Sequence, residues 1–85
     1  MNTMTDEQVE THWTIKANRL LQNRKIKRVR YMSQEEADHF GWYSRSVVIE
    51  LDNGVLLWPS RDDEGNDAGS LFTTDKNTDT LPVLR

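Results

Sequence analysis

The stretch from residue 46 to residue 59 constrains the fold of this chain more than any other part of the sequence. Two apolar runs, Val-Val-Ile-Glu-Leu and Val-Leu-Leu-Trp, flank an Asp-Asn-Gly tripeptide. Asn-Gly readily adopts the positive φ angles of a two-residue type I′ turn. The pattern therefore predicts an antiparallel hairpin that reverses at Asn53-Gly54, with Leu51 opposite Leu56 and Ile49 opposite Trp58.

This register divides the side chains of the hairpin between two faces, because side chains alternate along a strand and paired residues share a face. The residues of the expected core face are Val47, Ile49, Leu51, Leu56 and Trp58. The residues of the opposite face are Val48, Glu50, Asp52, Val55 and Leu57. The second face mixes apolar and acidic side chains, so we expect a helix to cover only part of it.

A capping box predicts the first helix. In Thr5-Asp6-Glu7-Gln8 the threonine hydroxyl can accept the amide hydrogen of Gln8, whose side chain reaches back to the threonine amide. Apolar residues then recur at helical spacing. The residues of this stripe are Val9, Trp13, Ala17, Leu20 and Leu21. We expect a helix over residues 6–22.

A second capping box, Ser33-Gln34-Glu35-Glu36, predicts a short helix. Met32, just before the cap, is placed to pack against Ala37 one turn into the helix. Gly41 is suited to the left-handed conformation that ends a helix, and Trp42 follows as the apolar residue of that motif.

The remaining elements complete a small α+β domain. Lys25 to Tyr31 reads as an edge or solvent-facing strand, with residues 27, 29 and 31 on one side and 26, 28 and 30 on the other. Ser70 to Thr74 is a further strand, while residues 1–4 and 75–85 are expected to fray or form a tail with at most a short final strand over 81–84.

At 85 residues the chain allows one domain. We expect a mainly antiparallel sheet of three to four strands packed by two helices, with a small SH3-like curled barrel as the alternative.

Composition excludes several classes of function. The sequence has no cysteine, so it can form neither disulfides nor thiolate metal sites, and a cytoplasmic protein is expected. No leader or apolar membrane span is recognisable, and a membrane partner is not expected. His12 and His39 have no metal-ligand spacing, and no nucleophile elbow or phosphate-binding loop is present. We therefore expect no cofactor, no metal and no catalytic residues, and an enzyme is not the favoured class.

The basic residues concentrate in one segment although the net charge is −3. The members of this basic segment are Arg24, Lys25, Lys27, Arg28 and Arg30. Such a segment could neutralise the phosphates of a nucleic acid or bind another polyanion. The alternative is that charge on an exposed strand prevents edge-to-edge aggregation and pairs with acids elsewhere in the chain.

The acidic stretch over residues 62–67 raises the question of a calcium loop. Such a loop needs oxygen ligands at its first, third and fifth positions and glycine at the sixth. Starting the loop at Glu64 places Ala68 at the third ligand, and starting it at Asp62 places Asp67 at the glycine position. The acids are better explained as turn residues.

Aromatic and charged residues gather at the open end of the predicted hairpin. The members of this candidate interaction surface are Trp42, Tyr43, Arg45, Arg61, Asp62 and Asp63. Such a mixture is typical of a small protein-binding surface. Alternatively, Arg45 and Asp62 form only a cross-strand ion pair that contributes less than ~1 kcal/mol.

Four segments resemble a group of short bacterial proteins of unknown function: Arg30–Ser33, Glu35–Ala37, Gly41–Arg45 and Pro59–Asp67. The resemblance spans residues 30–67 and implies a bacterial cytosolic protein without assigning an activity. From the residues we expect a non-enzymatic module that binds a protein through the aromatic and charged end of the hairpin or that self-associates. Binding of a polyanion or nucleic acid through the basic segment is the alternative.

Overall fold

The computed structural model describes residues 4–60 and 67–84, which form two helices and a five-stranded sheet. The elements are α1 (Asp6–Leu21), β1 (Ile26–Tyr31), α2 (Gln34–His39), β2 (Val47–Leu51), β3 (Leu56–Pro59), β4 (Leu71–Thr73) and β5 (Thr80–Leu81). Neighbouring strands are antiparallel and follow chain order from β1 to β5. The predicted α+β class is confirmed. The sheet is open rather than a barrel, and it has five strands where three to four were predicted.

Helix α1 begins at the predicted capping box. The Gln8 amide donates to Thr5 Oγ1 at 3.1 Å, and the Thr5 amide donates to Gln8 Oε1 at 2.9 Å. The predicted apolar stripe is the more buried side of the helix, since Val9, Trp13, Ala17 and Leu21 are half-buried and Leu20 is buried. The C-terminal end of α1 thus contributes to the core.

Helix α2 is held at both ends by the predicted motifs. The Glu36 amide donates to Ser33 Oγ at 3.1 Å, and the Ser33 amide donates to Glu36 Oε1 at 2.8 Å. At the other end Gly41 has a φ of +73°, and the Trp42 amide donates to the Ala37 carbonyl at 2.9 Å. The Gly41 amide also donates to the Asp38 carbonyl at 3.0 Å, and the two bonds at this end form a complete Schellman motif.

Replacing Gly41 with alanine is expected to destabilise the protein by about 1–2 kcal/mol, because an L-residue at this φ is strained. A Cβ at this position would meet no atom within 4 Å, so the penalty comes from the backbone alone. Gly41→Asn is the matched control and should cost less, since asparagine tolerates the left-handed region. Urea unfolding of both variants measures the difference. Equal losses would show that the backbone conformation is not the cause.

The hairpin reverses where the sequence predicted, but its register differs by one residue. Ile49 pairs with Leu57, not with Trp58, and the Leu51 amide donates to the Val55 carbonyl at 2.9 Å. The loop therefore has three residues, with Gly54 at a φ of +88°, whereas Asn53 does not take the positive φ that a type I′ turn requires. The predicted two-residue turn is wrong.

The shifted register moves every side chain of β3 to the face opposite the one predicted. Ile49 and Trp58 therefore lie on opposite faces, and the predicted core face is wrong for the β3 half of the hairpin. Leu57 joins Ile49 and Leu51 on the first face. Trp58 joins Val48 on the second face.

The chain after β4 turns back to add β5. The Thr73 hydroxyl donates to the Thr78 carbonyl, and Asp75 Oδ2 accepts the amides of Asn77 and Thr78. This turn lies within residues 75–85, which were expected to fray or form a tail with at most a short final strand over 81–84. The final strand exists, but it starts one residue earlier and is only two residues long, and its pairing with Leu71 and Phe72 fixes these bounds.

Candidate functional site

Among the residues that the structure describes, strand β1 lies at the edge of the sheet and directs part of its backbone groups away from its partner strand. The Met32 amide donates to the Ser46 carbonyl at 2.8 Å. Hydrogen-bonded and non-hydrogen-bonded residue pairs alternate along an antiparallel ladder. Counting back from Met32, Arg28 and Arg30 therefore direct their backbone groups toward β2, whereas Val29 and Tyr31 direct theirs away from it. Among the residues described, β1 pairs only with β2. Its outer edge is therefore open to another strand.

The residues with outward backbone groups also expose apolar side chains. Ile26, Val29 and Tyr31 are each between 56% and 65% exposed. Their partners on β2 are Leu51, Ile49 and Val47, which share one face of the sheet. The sequence placed Ile26 on the opposite side of the strand from Val29, and this was wrong because a bulge between Ile26 and Arg28 shifts the alternation.

The basic segment flanks this edge and is largely paired with acids. Arg24 lies 3.8 Å from Asp52, and both Lys27 and Arg28 lie 3.9 Å from Glu50. Their basic side chains are exposed, although Glu50 is half-buried, and at these distances each pair stabilises the fold by about 1 kcal/mol or less. The structure thus shows the ion pairing that the sequence offered as the alternative to polyanion binding.

The closest ion pair joins β1 to α2. Arg30 binds Glu36 through two nitrogens, with Nη1 2.8 Å from Oε1 and Nη2 3.0 Å from Oε2. The hydrogen bonds from Arg30, followed by that from the Ser33 amide, lower the pKa of the Glu36 carboxyl from 4.5 to about 2. In turn the Glu36 carboxylate raises the pKa of Arg30. One carboxylate therefore caps α2 and anchors the helix to the edge strand.

This pair predicts an acid-dependent loss of stability. Because folding lowers the pKa of Glu36, its stabilising contribution is complete above pH 4.5 and is lost as the pH falls through about 2. Glu36→Gln keeps a residue that suits the capping box but removes the charge. The stability difference between wild type and Glu36→Gln should shrink over that pH range, measured by urea unfolding at a series of pH values. A difference that stays constant down to pH 2 would contradict this role.

The predicted surface at the open end of the hairpin is only partly described. Trp42 is half-buried and its ring centroid lies 5.2 Å from that of Phe40, so it belongs to the packing around α2. Tyr43 and Arg45 are exposed. Arg61, Asp62 and Asp63 lie outside the described residues. Of the residues predicted to form this surface, Tyr43 and Arg45 are therefore exposed to solvent. Trp42 is half-buried and contributes only part of its side chain to the surface.

A groove of about 360 Å³ opens between α2 and the sheet. Its lining includes Met32, Phe40, Val48, Leu56 and Trp58, with Ser33, Glu35 and His39 among its polar residues. The indole N–H of Trp58 is buried without an acceptor among the described residues. Ser33 Oγ is used as the cap of α2, and no hydrogen bond joins it to His39 in the part of the chain described. The groove therefore presents a mainly apolar surface among the described residues.

The remaining features add no second site within the described ranges. Residues 4–60 and 67–84 contain no group of three or more histidine and acidic side chains placed to hold a metal ion. The acidic stretch weighed as a calcium loop lies outside these ranges except for Asp67. None of the helices described is long and apolar enough to cross a bilayer.

Comparisons with protein-family models, curated proteins and solved structures find no match to this chain. The resemblance over residues 30–67 therefore stays a hypothesis. The candidate site rests on the geometry of β1 alone.

Proposed function

We propose that this protein is a non-enzymatic interaction module that binds a protein partner along the outer edge of β1. A partner adds to this edge as a further strand, in the way that several peptide-binding domains use an exposed sheet edge. The observation that supports the proposal is the coincidence of outward backbone groups and exposed apolar side chains at Ile26, Val29 and Tyr31. The cysteine-free sequence supports the cytosol as the compartment.

The edge has two features that favour a partner over a merely solvated strand. An unpaired edge is a template for another chain, and natural proteins usually shield it with charge, proline or a bulge. Here the bulge lies at the start of β1, and the basic side chains of the strand contact acids of this chain, while the outward-bonding positions Val29 and Tyr31 remain apolar. The strand is six residues long, and the positions that direct backbone groups outward lie along it at Ile26, Val29 and Tyr31.

Affinity capture with an edge variant tests the function. Val29→Pro removes an outward amide without removing a bond to β2, since proline is tolerated on the open side of an edge strand. We expect wild type to retain a partner from host lysate and Val29→Pro to lose it. Tyr43→Lys is the control, because Tyr43 is fully exposed, is not part of β1 and belongs to the surface predicted from sequence. Loss with Tyr43→Lys and retention with Val29→Pro would overturn the assignment to β1.

A stability measurement and a substitute variant make the capture experiment decisive. The thermal midpoint of Val29→Pro must stay near that of wild type, so that lost capture does not reflect unfolding. If it falls, Val29→Lys replaces it, because lysine on an edge opposes strand addition without constraining the backbone.

Binding of a polyanion through the basic segment is the second candidate function. Four of its five basic residues lie within 4 Å of the three acids Glu36, Glu50 and Asp52, so basic residues outnumber their acidic partners around β1. Titration with a generic oligonucleotide at several salt concentrations tests it. The logarithm of the affinity should fall with that of the salt concentration, with a slope of about −0.7 for each single-strand phosphate neutralised. Nuclease treatment that releases every captured partner would favour this candidate over the first.

A further inference from the structure

We infer that the segment taken up by β1 is an extended one in which acidic residues alternate with apolar residues. This inference rests on the proposed interaction function and specifies the chemistry of the partner. It follows from three observations: the direction of the backbone groups along β1, the different character of its two faces, and the charges that a second copy would bring to the same edge.

The backbone of β1 determines where the partner's segment can form hydrogen bonds. Val29 and Tyr31 point their amides outward and are two positions apart in the sequence, which matches the repeat of an antiparallel ladder. The Asp52 amide donates to the Lys25 carbonyl, so Ile26 is likewise a position whose backbone groups face outward. The Tyr31 carbonyl already accepts from Arg30 Nη1 at 3.2 Å. An incoming strand therefore relies chiefly on the groups of Val29 and on the Tyr31 amide.

The two faces of β1 set the alternation of the segment. One face presents the exposed apolar side chains of Ile26, Val29 and Tyr31. The other presents Arg28 and Arg30, whose side chains remain 65% and 40% exposed although they contact acids. Residues of an added strand that lie beside the first face gain from being apolar, and those beside the second gain from being acidic.

The same charges disfavour a second copy of this chain at the edge. If two β1 strands pair antiparallel with Val29 opposite Val29, each Arg28 lies opposite an Arg30. If one strand is shifted by two residues, so that the same faces still match, either Arg28 lies opposite Arg28 or Arg30 lies opposite Arg30, depending on the direction of the shift. Like charges directly opposite each other destabilise a strand pair. Self-association through β1 is therefore opposed, and an acidic partner is favoured.

Binding of synthetic peptides to the full chain tests this inference. The probe is a capped octapeptide of alternating glutamate and valine. The controls are a peptide of the same composition with its valines and glutamates in separate blocks, and an alternating peptide of lysine and valine. Hydrogen exchange followed by NMR reports on each amide. We expect the first peptide to slow exchange at Val29 and Tyr31 but not at Arg28 and Arg30, whose amides already bond to β2.

The expected discrimination is about tenfold or more in affinity against the lysine peptide, since two or three cross-strand charge pairs change sign. Arg28→Gln should narrow the ratio between the two affinities, and Val29→Pro should abolish the protection of the Tyr31 amide. Equal binding of the block peptide or of the lysine peptide would overturn the inference. The inference would also be overturned if the same amides became protected without peptide as the protein concentration rises, because the occupant of the edge would then be a second copy of the chain.

The outcome separates this inference from the function on which it rests. If lysate capture depends on Val29 but none of the alternating peptides is preferred, the edge binds a partner of other chemistry and only the inference falls. If capture is also insensitive to Val29→Pro, both fall. Protection by an oligonucleotide that survives Val29→Pro would assign the surface to polyanions and overturn the inference.

Discussion

Leu57→Ala is expected to lower the free energy of unfolding by about 2–5 kcal/mol, the usual cost of removing a buried leucine side chain. Leu57 is 6% exposed and pairs with Ile49 on one side and with Thr73 on the other. Its neighbour Leu56 is only half-buried and lines the groove beside α2, so Leu56→Ala should cost less. Urea unfolding of the two variants measures the difference, provided that the free energy of unfolding depends equally steeply on urea concentration in both.

This pair of substitutions also discriminates between the two hairpin registers. The two-residue turn would place Leu56 in the core with Ile49, and would place Leu57 on the partly covered face. A larger loss for Leu56→Ala than for Leu57→Ala would support that register and contradict the three-residue loop.

Met32→Ala is expected to have a comparable effect, about 2–5 kcal/mol. Met32 is 2% exposed, and its amide bonds to the Ser46 carbonyl as β1 leads into α2. Ala37, which is completely buried, lies one helical turn beyond the cap that Met32 precedes. The substitution therefore opens a cavity where the strand, the helix and the sheet meet.

Met4→Ala provides the control for this prediction. Met4 is the same residue type but is exposed, so its replacement should change stability by no more than about 0.5 kcal/mol. Thermal unfolding should show the contrast, since each kcal/mol shifts the midpoint of a domain this small by about 4–8 °C. Equal shifts for the two variants would show that Met32 is not a core residue.

The local motifs of this chain could be read from sequence because each depends on a few adjacent residues. Thr5 and Ser33 cap their helices through glutamine or glutamate three residues later, and both boxes are present. Gly41 ends α2 because it alone near that point takes a positive φ without strain. The open edge of β1 was also foreseen, from the alternation of charge along residues 25–31.

The positions that sequence reasoning missed depend on contacts between distant residues. The bulge at the start of β1 exists only relative to β2, and it brings Ile26 to the face of Val29. Nothing within the strand's own sequence marks that extra residue. The bidentate bond between Arg30 and Glu36 was likewise invisible, since it requires α2 to fold back on β1.

The sequence by itself determined where the helices begin, where α2 ends and where the central hairpin reverses, because capping and turn chemistry act over a few residues. Only the tertiary structure decided which side of β3 is buried. Leu56, Leu57 and Trp58 are all apolar, so either register offers the core an apolar face, and Asn53-Gly54 is compatible with either loop. The choice depends on how both faces of the sheet pack at once, and no short stretch of the chain contains that information.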